Sequence, residues 1–318
     1  MIMKKLTIVT SVYNGGKSFL EFTNGILELN HLLLKKWRIE LIVVDDASTD
    51  NSWEIIKDEM TKLGADGISC KAFKQLSNRG QHNSLFDGMA QILDRDTFLV
   101  LIDGDGEEDP REIYKLIQTI ENEEIDSVIA IQDRNDKSLV RGILGRIGWN
   151  IIKFLQIDSV QTNECTLRIL NPLGAKLLIS SKALNPILGR EQAKLGLKTK
   201  TILISKNYKG FTSYSFGKRW KLFIRNLTYS NSIYIRLSQL TLFAGIVFGI
   251  STGLFFTYYY IISPNPVEGY TSIGLLISSM FSLNFIVLSF ITKLNSKPND
   301  LNFIKDITYR EKFELNND

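Results

Sequence analysis

Two uncharged stretches set the tightest limit on what this chain can fold into. No Asp, Glu, Lys or Arg occurs from Leu237 to Val267, and none from Gly269 to Thr292. Each is longer than the roughly 20 residues an α-helix needs to cross the hydrocarbon core of a bilayer. The alternative, a helical hairpin buried in a water-soluble domain, fails on coverage. The rest of a 318-residue chain is too short to wrap two such segments. Lys218, Arg219, Lys221, Arg225 and Arg236 precede the first stretch, interleaved with Trp220, Leu222, Phe223, Ile224 and Tyr229. That composition suits an interfacial helix lying on anionic headgroups; an ordinary solvated linker is the alternative. Lys293 and Lys297 follow the second stretch, whereas the connector from Ser263 to Tyr270 has no Lys or Arg. By the positive-inside rule both flanks face the cytoplasm. The expectation is an integral membrane protein in a lipid bilayer with its large domain cytoplasmic. Small residues along the first stretch (Ala244, Gly245, Gly249, Ser251, Gly253) suit packing between the spans or against another subunit, a possible homo-oligomer.

Global charge says little more. A net charge of +4 is too mild to argue for nucleic acid, so no nucleic-acid partner is expected. Cys70 and Cys165 stand far apart, and His31 and His82 are too few for a zinc site, which fits a reducing compartment.

The N-terminal two-thirds alternates strand-like and helix-like segments, an α/β pattern. Strands are expected at Leu6–Val12, Ile39–Val44, Ile68–Leu76, Phe98–Ile102, Asp126–Ile131, Glu164–Leu170 and Lys200–Ser205. Helices are expected from Gly16 to about Leu34, through Trp53, Ile56 and Met60, from Gly80 to Leu93, after Pro110 and after Pro172. In an open parallel sheet the strands' C-terminal ends line one crevice. Here those ends carry Asn14, Asp45 and Asp46, Asn78 and Arg79, and Asp103 and Asp105. No Gly-x-Gly-x-x-Gly follows the first strand and no Walker loop occurs, which lowers the dinucleotide and NTPase readings.

The stretch Phe98–Pro110 (FLVLIDGDGEEDP) concentrates the chemistry. A continuous apolar run predicts a buried strand ending in Asp103 and Asp105 at i and i+2, which in extended backbone point to one side. Two such carboxylates repel unless a cation sits between them, and a hard divalent ion carrying a diphosphate is the natural candidate. Gly104 and Gly106 would leave room for it to approach the main chain. A solvated acidic turn is the plainer alternative, and the position after a buried strand weighs against it. Asp109-Pro110 reads as an N-cap and first helical position.

Taken together, TIVTSVYNGG, IVVDDASTDNS, NRGQHNSLFDGM, LIDGDGEEDP and RNDKSLVRGILGR resemble the family 2 glycosyltransferases, specifically the polyisoprenyl-phosphate glycosyltransferases related to dolichol-phosphate mannose synthase. The resemblance implies a GT-A-type, Rossmann-like, mostly parallel sheet with a C-terminal two-helix transmembrane hairpin. It implies inverting transfer of a sugar from a nucleotide-sugar donor, with a UDP carrier expected, to a polyprenyl phosphate acceptor, using Mg²⁺ or Mn²⁺. Asp46 matches the family's base-side carboxylate, and Asp103 and Asp105 its metal-holding pair. Val12, Tyr13, Asn14, Ser48, Asn78, Gly80 and Gly104 fall in the motifs that surround the nucleotide-sugar. Arg134 and Arg141, with Arg146, match the basic residues that meet the acceptor phosphate; Asp103, Asp105, Arg134 and Arg141 are the catalytic candidates. Planar guanidinium groups suit a phosphate monoester. Departures occur. Glu107 stands where the family has Gln, Gly145 where a serine is common, and Arg219 where a late motif has serine. Thr166 replaces an aspartate, leaving Glu164 as the nearest carboxylate.

The implied division is a transferase domain over 1–217, a juxtamembrane segment over 218–236, two spans over 237–292 and a cytoplasmic tail over 293–318. Two rivals remain at this level: a membrane-anchored transferase acting on a glycan or lipid-linked oligosaccharide hydroxyl, and a non-catalytic membrane scaffold.

Overall fold

The structure is a computed structural model that describes residues 3–33, 36–132, 164–181, 186–204, 231–262, 269–295 and 309–315. The chain divides into two compact units. One comprises Met1–Lys137, Ser159–Phe211 and Ile304–Asp318, the other Ser138–Asp158 and Thr212–Phe303.

The first unit is built on one sheet. Strand β1 (Lys4–Val12) pairs in parallel with β2 (Trp37–Asp45) on one side and β4 (Phe98–Asp103) on the other, and β2 pairs in parallel with β3 (Ser69–Gln75). Strand β6 (Glu164–Leu170) runs antiparallel between β4 and β5 (Ser127–Gln132), and β5 pairs in parallel with β7 (Thr199–Ile204). A last strand, β8 (Tyr309–Leu315), lies antiparallel on β3. The eight strands follow the order β7-β5-β6-β4-β1-β2-β3-β8, a mixed and mostly parallel sheet.

The central strands are apolar on both faces because helices cover both. Leu41 and Val43 enter one core with Phe19, Phe22, Ile26 and Leu29 of α1 (Gly16–Leu32) and Trp53, Ile56, Met60 and Leu63 of α2 (Ser52–Ala65). The same core takes Ile113, Leu116, Ile117 and Ile120 of α4 (Ile113–Asn122), which a 3₁₀ turn (Pro110–Glu112) introduces. Ile42, one residue out of phase, faces a second core instead. That core holds Leu85 and Met89 of α3 (Gln81–Met89), Ala175 and Leu178 of α5 (Pro172–Ser180), and Leu188 of α6 (Leu188–Lys194). Period-2 strands and period-3.6 helices thus produce three layers. Gly88 lets α3 sit close on the sheet: a Cβ there would lie 2.7 Å from Val9 Cγ1 and 3.0 Å from Val44 Cγ2.

Two sequence expectations change. The α3 helix ends at Met89, short of Leu93, which is 86% exposed and joins no core. The tail, which had no structural reading, supplies β8. The sheet register sets Glu314 opposite Lys71 and Glu311 opposite Lys74, so opposite charges face each other across the strands.

The second unit, in its described part, is a pair of helices, α7 (Asn231–Ile262) and α8 (Tyr270–Asn295). Ile235–Ile262 and Tyr270–Lys293 are long and apolar enough to cross a membrane, with mean hydropathies of 1.9 and 2.0. The helices pack on each other through small residues. A Cβ on Gly245 would lie 2.6 Å from Phe285 Cβ, and one on Gly249 2.8 Å from Ser282 Oγ. Buried Ser289 donates its hydroxyl to the Ser238 carbonyl at 2.6 Å. Their outward faces expose Leu, Ile, Phe and Tyr along nearly the whole length, the arrangement lipid solvates and water does not.

Candidate active site

Strands β1, β2, β3 and β4 end nearly level. Val12 is in register with Asp45, Asp45 with Lys74, and Ser11 with Asp103. The loops that follow meet along this line. Asn14 (φ 49°) and Ala47 (φ 59°) adopt the left-handed backbone that the first two loops require. The Asn14 amide N–H donates to Ser48 Oγ at 2.9 Å, and Asn14 Oδ1 accepts from the Thr49 N–H at 2.9 Å. Ser48 in turn donates its hydroxyl to Asp45 Oδ1, and the Asp46 N–H donates to the Val12 carbonyl at 2.9 Å. The motifs YNGG and VDDAS therefore interlock; Val12 is buried beneath them while Tyr13 stands half exposed.

Asp46 reaches the third loop. Its two oxygens accept from the Arg79 N–H at 2.7 Å and the Gly80 N–H at 2.9 Å, and Gly80 takes φ 85°. Burial raises the Asp46 pKa, against those two amide bonds. The Arg79 guanidinium then pairs with Asp87 on α3, whose Oδ2 also accepts from Gln75 Nε2 at 2.8 Å. Burial pushes the Asp87 carboxyl up to about 6 against the pull of Arg79. Asn78 is exposed. No pattern in the sequence singles out Asp87, although it lies inside the NRGQHNSLFDGM motif.

At β4 the geometry differs from the extended i, i+2 pair that the sequence suggested. The chain turns at Gly104 and Asp105, so a turn and not a pleat presents the two acids. Asp105 is exposed, and its Oδ1 accepts from the Glu107 N–H at 2.9 Å. Gly104 is needed for packing more than for ligand approach: a Cβ there would lie 2.9 Å from Thr10 Oγ1 and 3.0 Å from Val12 Cγ2. Gln81, the first residue of α3, donates from Nε2 to Asp103 Oδ1 and lies 3.4 Å from Thr166 Oγ1. Thr166, the departure from the family's aspartate, therefore sits at the site, bridged to the acid pair by Gln81.

Sequence reasoning also missed Glu108. It is 1% exposed, and its carboxylate accepts from the Asp103 N–H at 3.1 Å and the Thr166 N–H at 2.8 Å. It ties the end of β4 to the start of β6. Below it lies Arg168, 3% exposed, whose pKa is lowered by burial and held up by the charges of Glu164, Glu108 and Asp103. Its guanidinium donates to the Cys165 carbonyl at 2.8 Å and to Gln192 Oε1 at 2.9 Å. One buried cation thus offsets a cluster of carboxylates, which would otherwise be costly to keep ionised.

Among the described residues no group of three or more His, Cys, Asp or Glu side chains could hold a metal. Asp103 and Asp105 make two carboxylates. That is the donor set a magnesium-like ion takes from protein when substrate phosphates and water complete its octahedron. Arg134, Arg141 and Arg146 lie outside the described residues, as does the juxtamembrane segment up to residue 230.

A curated relative, the undecaprenyl-phosphate 4-deoxy-4-formamido-L-arabinose transferase of Yersinia pestis, is 29% identical over 168 residues, 52% of this chain and 48% of its own length. The protein of the same name from Shewanella sediminis is 25% identical over 255 residues, 79% of this chain and 74% of its own. The chain spans about half the length of the first of these relatives. Among solved structures, the mannosyltransferase PcManGT from Pyrobaculum calidifontis, in complex with GDP-Man and Mn²⁺, is 12% identical with a TM-score of 0.48. That match covers 92% of this chain and 88% of that one. The pattern that defines glycosyl transferase family 2 matches residues 7–170, more than half of the chain, from within β1 to the end of β6. The interlocked loops and the acid turn all fall inside it, and the chain belongs to glycosyl transferase family 2.

Proposed function

We propose that this protein moves a sugar from a nucleotide diphosphate donor to a polyprenyl phosphate at the cytoplasmic face of a membrane. The observation that carries the reading is a pairing within one chain. An acid turn stands among loops that carry the family 2 motifs, and two span-length apolar helices would supply an anchor beside a lipid substrate. The names of the curated relatives support the same acceptor class.

The donor would lie over the strand ends, its base near Asp46 and its diphosphate towards Asp103 and Asp105. These two residues would hold a Mg²⁺ or Mn²⁺ ion, which when bound neutralises charge on the leaving diphosphate. Arg134, Arg141 and Arg146 would fix the acceptor phosphate and offset the repulsion between two anionic substrates. An acceptor oxygen attacks the sugar C1 from the face opposite the diphosphate. The new C1–O bond forms as the old one breaks, and the electron pair leaves with the nucleoside diphosphate, inverting C1. A phosphate monoester has a second pKa of about 6, so its attacking oxygen needs no base near neutral pH. Thr166 in the place of an aspartate fits that requirement.

Membranes holding the protein, incubated with undecaprenyl phosphate and a panel of nucleotide sugars, should yield a polyprenyl-phosphate sugar identified by its mass. Asp105→Ala should lower the rate about 100-fold or more, the scale of losing charge stabilisation at a leaving group. Sugar found only on a preassembled glycan would replace this reading with transfer to a hydroxyl. No product from any donor, with nucleotide-sugar binding unaltered in Asp105→Ala, would leave a scaffold.

A further inference from the structure

Asn284 lies about 4 Å along the helix from the midpoint of the apolar span Tyr270–Lys293. It is exposed, and among the described residues its amide has no hydrogen-bond partner. Neither can α7 reach it. Ser282, Phe285 and Ser289 mark the α7-facing side of α8, and Asn284 stands about 100° to 160° around the helix from each of them. A carboxamide in hydrocarbon without a partner is costly, because lipid offers neither donor nor acceptor.

The residues sharing its face form a pattern. Ile273, Ile277, Met280, Asn284, Val287 and Ile291 recur at spacings of four and three, the a/d seam of a left-handed coiled coil. The five apolar members are all between 47% and 60% exposed. In a nearly all-apolar helix such spacing alone would select nothing; Asn284 selects the seam by sitting in it. It stands one heptad from both Ile277 and Ile291, a core position of the seam at which a single Asn fixes register.

We propose that α8 is the contact between two copies of this chain, paired in parallel along this seam with the two Asn284 amides bonded across a two-fold axis. The proposal rests on the membrane reading of the hairpin. Copies inserted by one set of topology signals have the same orientation, so their α8 helices run parallel and equal residues meet at equal depth. A carboxamide carries both a donor and an acceptor and so satisfies its own copy, which a lipid tail cannot do.

The test uses the full chain in lipid vesicles at high dilution, with self-association read by energy transfer between labelled copies. Asn284→Leu should weaken association roughly 3- to 30-fold, and Asn284→Gln should retain most of it. With Asn284 intact, oxidation should link copies through Ile277→Cys and Ile291→Cys far more than through Leu283→Cys or Phe290→Cys, which are exposed off the seam. Unchanged association in Asn284→Leu, equal linking at all four positions, or recovery of Asn284-dependent complexes with a different membrane protein would each overturn the proposal. Release of the protein by a carbonate wash would defeat the membrane reading itself. Retention in the membrane with unaltered association in Asn284→Leu would defeat the seam alone.

Discussion

Both oxygens of Glu108 accept main-chain N–H groups, one from the strand that carries Asp103 and one from the strand that carries Thr166. A glutamine there keeps the shape but turns an NH₂ group towards one of those donors. Glu108→Gln should therefore cost about 1–3 kcal/mol of stability, the penalty for a buried donor left unmet. It should also raise the KM for donor and metal more than it lowers kcat, because it displaces Asp103 without removing it. Melting temperature and metal-titrated kinetics read the two effects separately. Asp87 makes a second case, in pH. Its folded pKa of about 6 lies above the ordinary aspartate value, so the native state holds the proton more tightly than the unfolded one. Stability contributed by this group is then present at low pH and lost as pH rises from about 4 through 6. Burial raises Asp46 and Asp45 as well, with the same sign. Against wild type, Asp87→Asn should gain relative stability across that window and stay level above about 7, as thermal melts over a pH series would show. Such residues resist reading from sequence for a physical reason. Asp46, Asp103 and Asp105 stand beside the ends of apolar runs, where the pattern itself marks them. Glu108 is one acid in a run of three (Glu107–Asp109), and only the fold shows which of them turns inward.

Strands β2 and β4 were legible because burial on both faces leaves the runs Leu41–Val44 and Phe98–Ile102 with no polar interruption. The β8 strand carries the opposite signature. Its Arg310, Glu311, Lys312 and Glu314 read as solvated tail, yet charge is what an edge strand needs to discourage pairing with other chains. A register shift between Lys74 and Gln75 turns Tyr309 to the α3 side while Phe313 and Leu315 face the other core. Tyr309 packs on Phe73, donates its hydroxyl to the Asp87 carbonyl at 3.0 Å and accepts from Gln91 at 3.2 Å; Glu311 accepts from Trp53 Nε1 at 2.5 Å. The tail thus holds down α3, the helix that begins with Gln81. Tyr309→Phe, which keeps the ring and loses both bonds, should destabilise the domain by about 1–3 kcal/mol. Ending the chain at Asn295 should do more, exposing the β3 edge. Hydrogen exchange of the Ser69–Gln75 amides should then rise by orders of magnitude.

The order of the chain constrains its topology. Among the described residues, seven strands of the sheet precede the helical hairpin and one follows it. If the hairpin crosses a bilayer, β8 can join β3 only when the number of crossings between them is even. Two crossings by the candidate spans of 28 and 24 residues would satisfy this, and one crossing would not. Lys and Arg placement leads by a separate route to the same arrangement, both flanks on one side, and we propose it for this chain. The proposed cytoplasmic side rests on charge alone: Arg236 and Lys293 flank the apolar helices while the connector carries Glu268 and no base. Single cysteines can test this in whole cells and in opened membranes. Asn265→Cys in the connector should react with a membrane-impermeant maleimide in intact cells. Asp66→Cys, in the turn after α2, and Lys312→Cys, on β8, should both react only after the membrane is opened. Buried Cys70, its thiol pushed up to about 12 by burial, adds no background, and buried Cys165 is equally shielded. If Asp66→Cys and Lys312→Cys labelled on opposite sides, the pairing of β8 with β3 could not exist in the membrane-bound protein. If both labelled from outside, the sheet would stand and the cytoplasmic placement of the transferase would be reversed.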